Sequence, residues 1–387
     1  MFAVLSTRRK ALTTIGALTA ALMLSACDPL PGGGINPGAP VPVALILPGG
    51  SGNPGDDVLA RNLQQAAEMA IADLQGVEID LRVYNSGSDT GSAASTAKKA
   101  VDDGAKIILG PVFAQAANAA GVAVAGTGVN VLSFSNNTEV AGGNVFVLGP
   151  TFENTADRLV SYAARQGKGR MFVVHDNNPA GQHGLGAIRS AASRSGASVV
   201  GTATYEFSQQ GVVNAVPSIV SAVRANSADS VFFTADTAGA LPLLAQLLPE
   251  AGISNQTTQF IGLTRWDIPA ATLAMPGVQN GWFAVPDPGL AAQFQSRFFA
   301  TYGESPHPIA GLAYDGIAAI GALAKQGNPD AFSTASLTQS AGFAGVTGVF
   351  RLRPDGSNQR GLAVAQIQNS QVVILDPAPR SFGGAGF

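Results

Sequence analysis

Between Lys106 and Thr138 two apolar runs of strand length flank a segment long enough for one helix. The runs are Ile107–Leu109 and Val129–Leu132, and Val112–Gly126 lies between them. The first run stops at Gly110-Pro111, the second at the polar cluster Ser133, Ser135, Asn136, Asn137 and Thr138. This reads as strand–helix–strand with both polar loops at the carboxyl ends of the strands. In an open parallel sheet that edge is where ligands bind.

The same alternation runs along most of the chain. Val41–Leu47 reads as a strand ended by Pro48-Gly49-Gly50, and Asp56 or Asp57 as the cap of a helix carrying Leu59, Leu63, Ala66, Ala70 and Leu74. Val77–Tyr84 alternates apolar and polar residues, as a strand with one exposed face does, and a helix over Thr90–Asp103 follows. From Phe152 a second series repeats the pattern as far as strand Trp282–Val285. Such spacing predicts α/β architecture, parallel sheets with helices on both faces. The pattern then changes to two successive helices, Leu290–Tyr302 and Ile309–Lys325. Short strands follow over Val346–Leu352, Gly361–Gln368 and Val372–Leu375, with a Pro/Gly-rich tail that reads as loose.

The chain has 387 residues, enough for two domains or one two-lobed unit. Only 12% of residues are charged and the net charge is −3, with no basic stripe, which argues against a nucleic-acid partner. The one cysteine, Cys27, excludes an intramolecular disulfide. It follows a basic segment (Arg8, Arg9, Lys10) and the apolar run Ala11–Leu24, too short to span a bilayer comfortably. Leu24-Ser25-Ala26-Cys27 resembles the lipobox of bacterial lipoproteins, in which the Cys is acylated after cleavage. That resemblance implies a signal peptide over 1–26 and a membrane anchor at Cys27, followed by a tether to residue 40. Inner or outer membrane stays open.

Five phrases in order, VALILPGGSG, ILGPVFA, SFSNN, PIAGLAYDGIAAI and FAGVTGVFRLRPDGSNQRGLAV, resemble the type I periplasmic-binding-protein family, in its leucine-binding branch. The resemblance covers residues 41–375 and implies two Rossmann-like lobes on a hinge with a cleft between them. One lobe would comprise 41–149 with 286–342, the other 150–285 with 343–375, leaving 376–387 as the tail. Amino-acid binders of that family hold the ligand carboxylate with hydroxyls and backbone N–H groups. Where a hydroxyl usually follows the Gly-Pro turn this chain has Ala114; Asn136-Asn137 replace the usual Ala-Thr or Ala-Ser, and Ala180 replaces an aromatic. Each lost hydrogen bond to a charged group is worth about 1.5–3 kcal/mol, so two losses weaken binding roughly 100-fold or more. LGPVFA, LSFSNN, VFVLGP, TRWD and WFAVPDP are similar to lipoproteins described as penicillin-binding protein activators, which stimulate a peptidoglycan synthase by contact. The helical-repeat domain that some activators carry is missing here.

Candidate cleft residues are Ser51, Ala114, Ser133, Ser135, Asn136, Asn137, Asp236, Trp266, Asp267 and Asp315. Ser and Asn also serve plain turn chemistry. Trp266 with Asp267 suits either a ligand contact or packing at the hinge. Asp236 with Thr237 suits a helix cap as well as a ligand. Asp315 suits a cleft position by resemblance, or a buried hinge bond. His175, His183 and His307 lack metal-ligand spacing, and no nucleophile or Walker motif stands out, so neither an enzyme nor a cofactor is expected. Two functions remain. The first expectation is a non-catalytic envelope regulator acting on a penicillin-binding protein. The alternative is a solute receptor that delivers amino acids or a related small molecule to an ABC permease.

Overall fold

The first sheet explains its own sequence. Its strands are β1 (Val41–Leu47), β2 (Ile79–Asn85), β3 (Ile107–Leu109), β4 (Asn130–Ser133) and β5 (Val145–Val147). They lie in the order β2-β1-β3-β4-β5, all parallel. Central strands β1 and β3 are buried and almost wholly apolar, β4 is buried with Val131 and Leu132 between Asn130 and Ser133, and edge strand β2 alternates. This is a computed structural model, and it describes residues 34–36 and 38–382. The expected signal peptide, Cys27 and most of the tether lie outside the described residues.

Helices α1 (Pro54–Asp73), α2 (Thr90–Asp102) and α3 (Ala114–Val124) connect these strands. The cap of α1 is Asn53, whose side chain accepts from the Gly55 N–H at 3.0 Å, not Asp56 or Asp57. Those two acids sit in the first helical turn instead, where negative charge meets the positive end of the helix. Gly110 has φ +96°, and a side chain there would meet the Ile46 carbonyl, so the turn that ends β3 requires glycine.

The second sheet has seven strands. They are β6 (Arg170–Asp176), β7 (Ser198–Tyr205), β8 (Ser230–Phe233), β9 (Gln259–Gly262), β10 (Trp282–Val285), β14 (Ala363–Gln368) and β15 (Gln371–Asp376). The order is β15-β14-β10-β9-β8-β6-β7, parallel except that β14 pairs antiparallel with both its neighbours, β10 and β15. Helices α4 (Phe152–Arg165), α5 (Pro179–Ser195), α6 (Gln209–Ala225) and α7 (Leu241–Glu250) cover it. Two cores follow from strand alternation. Phe172, Val174, Phe233 and Phe260 fill one face; Met171, Val173, Phe232 and Ile261 fill the other.

Helices α8 (Pro288–Tyr302) and α9 (Gly311–Ala324) bring Phe294, Phe298, Ile317 and Ile320 into the core of the first lobe, with Leu45, Leu109 and Phe146. A third, antiparallel sheet contains β11 (Phe343–Gly345), β12 (Gly348–Leu352) and β13 (Asn358–Arg360). Its Phe343, Phe350 and Leu352 pack in that same first-lobe core. The final passage between lobes therefore falls near Gly361, not Phe343: Leu362 and Ala363 are the first residues in the second-lobe cores. The segment expected as a loose tail is held as far as Phe382. Asp376 ends β15 and pairs with Arg158 and Arg165, Ala378 is buried, and the Phe382 ring lies 4.6 Å from the Arg351 guanidinium carbon.

Candidate functional site

Strand β13 is short, and its alternation decides what the site contains. Asn358 and Arg360 point inward while Gln359 bonds Arg351 at the surface. The Asn358 amide donates to the carbonyls of Val147 and Gly149, both at 2.8 Å, and its oxygen accepts from the Asn154 amide at 2.8 Å. One side chain thus joins the end of β5 to the start of α4, across the first passage between lobes. The Asn154 oxygen accepts from the Arg360 backbone N–H at 2.6 Å.

Arg360 is a charge inside the protein, its side chain only 3% exposed. Its Nε donates to the Leu148 carbonyl at 2.6 Å, and Nη1 donates to Asp315 Oδ2 at 3.0 Å and Thr347 Oγ1 at 2.7 Å. The guanidinium carbon stands 4.8 Å from the Phe350 ring centre, its register partner on β12. Nη2 is buried and has no partner. A buried donor left unpaired costs about 1–3 kcal/mol, more when charged. Burial pushes the guanidinium below its ordinary pKa, and the Asp315 carboxylate partly restores it.

Arg360 forms part of the wall of a cavity of about 300 Å3 between the lobes. Asn136, Ile309 and Leu312 come from the first lobe, and Phe152, Leu263, Arg265 and Ile268 from the second. Pro150, Pro286, Thr347 and Leu362 lie along the hinge side. The walls are chiefly apolar with a few polar groups, and the size is at the small end for ligand pockets. A larger groove, about 1180 Å3, lies on the second lobe alone, between the ends of β7 and α7. Its wall includes none of the described buried polar atoms that lack a partner. The interlobe cavity is the better candidate because residues of both lobes line it, among them Arg360, whose buried Nη2 has no partner.

Of the residues singled out from sequence, Asn136 lines this cavity and Asp315 reaches it through Arg360. The others lie elsewhere or are engaged locally. Ser51 donates to Asp56 at 2.7 Å, and Ala114 opens α3. Ser133 donates to the Pro111 carbonyl at 2.9 Å; Ser135 and Asn137 accept backbone N–H groups two residues on, at 3.1 Å and 2.9 Å. Asp236 accepts from the Gly239 N–H at 2.6 Å, as a turn cap does. Asp267 is clamped by Arg265, with Nε at 2.6 Å. Trp266 is no cleft residue. It is fully buried in the second-lobe core, its indole lying over Gly262 and Gly281, where any side chain would collide with it.

Sequence reasoning passed over Arg360, Thr347, Phe152 and Leu312. A signal existed for the first: Arg360 precedes an apolar strand, and Asp315 interrupts an apolar helix. Charges in such settings are paired or solvated, but 45 residues separate these two. A second buried acid, Asp176 at the end of β6, accepts from the hydroxyls of Tyr205 and Thr234, the latter at 3.3 Å. Burial, with the Asp176 carboxylate, pushes the Tyr205 hydroxyl far above its ordinary value. Among the described residues no group of three or more His, Cys, Asp or Glu is placed to hold a metal.

A periplasmic binding protein family model matches residues 40–371. No curated protein is detectably similar in sequence. Among solved structures, one from Rhodospirillum rubrum assigned to a branched-chain amino acid ABC transporter superposes with a TM-score of 0.75 at 17% identity, covering 87% of this chain and 100% of its own. An ABC transporter substrate-binding protein from Desulfitobacterium hafniense in complex with Leu gives 0.66 at 18%, covering 87% and 100%. An ABC transporter solute-binding protein from R. palustris in complex with benzoate gives 0.60 at 18%, covering 90% and 99%. At such identities these likenesses show the fold alone, and none of them points to penicillin-binding protein activators. With the family match over nearly all of the two-lobed unit, the chain belongs to the periplasmic binding protein family.

Proposed function

We propose that the protein is a non-catalytic solute receptor of the bacterial envelope, anchored through acylated Cys27, that hands a small molecule to an ABC permease. The observation carrying this reading is the interlobe cavity, walled mainly by apolar side chains and lined in part by Arg360, whose buried Nη2 has no partner. Proteins of the same fold with Leu and with benzoate in complex support it. The two lobes, joined by three strands of chain, supply the device: a ligand that touches both lobes favours the closed arrangement. The first expectation, activation of a peptidoglycan synthase, has no observation of this structure in its favour, so the receptor reading replaces it.

Thermal unfolding of the full chain in mild detergent, against leucine, isoleucine, valine, benzoate and short-chain fatty acids, tests the reading. A true ligand at 100 times its dissociation constant adds about 2.7 kcal/mol of stability and raises the midpoint by degrees. No shift with any compound at millimolar concentration overturns it.

A further inference from the structure

We propose, resting on the receptor reading above, that the cavity is built for a small monocarboxylate with an apolar body and selects against the amino acid of the same shape. Three observations converge on this. The first is the donor. Arg360 Nη2 has no acceptor, while every other hydrogen-bonding nitrogen of that side chain is engaged. A carboxylate oxygen is the strongest acceptor a ligand could offer it.

The second is the want of an acceptor for an ammonium group. No Asp or Glu is among the residues lining the cavity. The neighbouring carboxylates are occupied. Asp315 is fully buried and holds Arg360 and the Thr347 hydroxyl. Asp267 is taken by its ion pair with Arg265. Glu153 retains a free buried oxygen, but its other oxygen faces His183 at 2.9 Å and Thr138 at 3.4 Å. Glu153 itself is not among the residues lining the cavity. An α-ammonium brought into this space would meet hydroxyl and amide oxygens at best, and burying a charge without a charged partner is costly.

The third is the body of the site. Phe152, Leu263, Ile268, Ile309 and Leu312 surround a volume of about 300 Å3. That suits a branched aliphatic chain or one aromatic ring, and burial of such a group contributes about 25 cal/mol per Å2.

Calorimetric titration of the full chain with three probes of one skeleton separates the possibilities: 4-methylpentanoate, leucine and 3-methylbutylamine. The expected result is that the acid binds at least tenfold tighter than leucine and that the amine gives no heat. Arg360→Lys keeps a cation beside Asp315 but removes the forked donor, and is expected to weaken the acid at least tenfold. If Arg360→Lys does not fold, the three-probe comparison on the wild type decides alone. Leucine binding within tenfold of the acid, or tighter, overturns the inference and leaves the receptor reading standing. Binding of the amine, or unchanged affinity in a folded Arg360→Lys variant, also overturns it. A wild type that binds neither these probes nor any compound of the thermal panel overturns both.

Discussion

Replacing Asp315 by Asn tests how the hinge is held. The Asp315 carboxylate is fully buried, its partner Arg360 is 3% exposed, and water reaches neither well enough to screen them. Removing one member of such a pair leaves the other charge uncompensated, which costs about 3–5 kcal/mol. Arg360→Met together with Asp315→Asn removes both charges. Met can lie against the Phe350 ring, but the Leu148 carbonyl loses its donor, for about 1–3 kcal/mol. The double variant is therefore expected to be more stable than Asp315→Asn alone. Urea unfolding followed by far-ultraviolet circular dichroism measures the series. Trp266 and Trp282 both lie in second-lobe cores, so their fluorescence reports that lobe separately. A single variant within 1 kcal/mol of wild type (about a fivefold change in the folding constant), or a double variant whose loss equals the sum of the singles, would refute the reasoning.

Three further outcomes are expected. Trp266→Ala empties the space over Gly262 and Gly281 and should cost about 3–5 kcal/mol in urea unfolding, because the glycines cannot fill it. Asn358→Ala leaves the Val147 and Gly149 carbonyls without their donor and should cost about 2 kcal/mol or more, while the second-lobe fluorescence transition moves less than the dichroism one. Burial lowers the His307 pKa from 6.5, and its Nδ1 accepts the Ile309 N–H at 3.4 Å, which protonation forbids. A folded-state value below the unfolded one means that the unfolded chain binds the proton first. Stability from this group is then complete above about pH 6.5 and declines as the pH falls below it. His307→Asn should flatten that part of a stability–pH curve, and a curve unchanged by the substitution would contradict the assignment.

The alternation of strands and helices was legible because each element carries its own period: β1, α2 and β10 lie where the residue pattern puts them. The end of the chain was harder. Asn358–Arg360 reads as part of a polar turn, yet pairing with β12 makes it a strand, and that pairing moves the lobe boundary. Trp266 after a strand end looks the same whether it faces a ligand or a core. The space it fills exists only because glycines at 262 and 281, distant from each other in the chain, meet beneath it. Ser133, Ser135 and Asn137 were visible as a polar loop, but their partners are backbone groups of that loop and of the Gly-Pro turn, which residue type alone does not reveal. The Arg360–Asp315 pair illustrates the general limit: each charge is conspicuous in sequence, and their meeting is a property of the fold.

The central claim is that the interlobe cavity, rather than the larger groove on the second lobe, takes the ligand. Ile309 is partly buried on the cavity wall and Leu243 partly buried on the groove wall, so each can be replaced by Trp to fill its own space. Calorimetric titration of wild type, Ile309→Trp and Leu243→Trp with 4-methylpentanoate and with leucine compares them directly. The account predicts that Ile309→Trp weakens whichever probe binds at least tenfold, with an unchanged circular dichroism spectrum, and that Leu243→Trp binds as wild type. The reverse pattern, with affinity kept in Ile309→Trp and lost in Leu243→Trp, would contradict it.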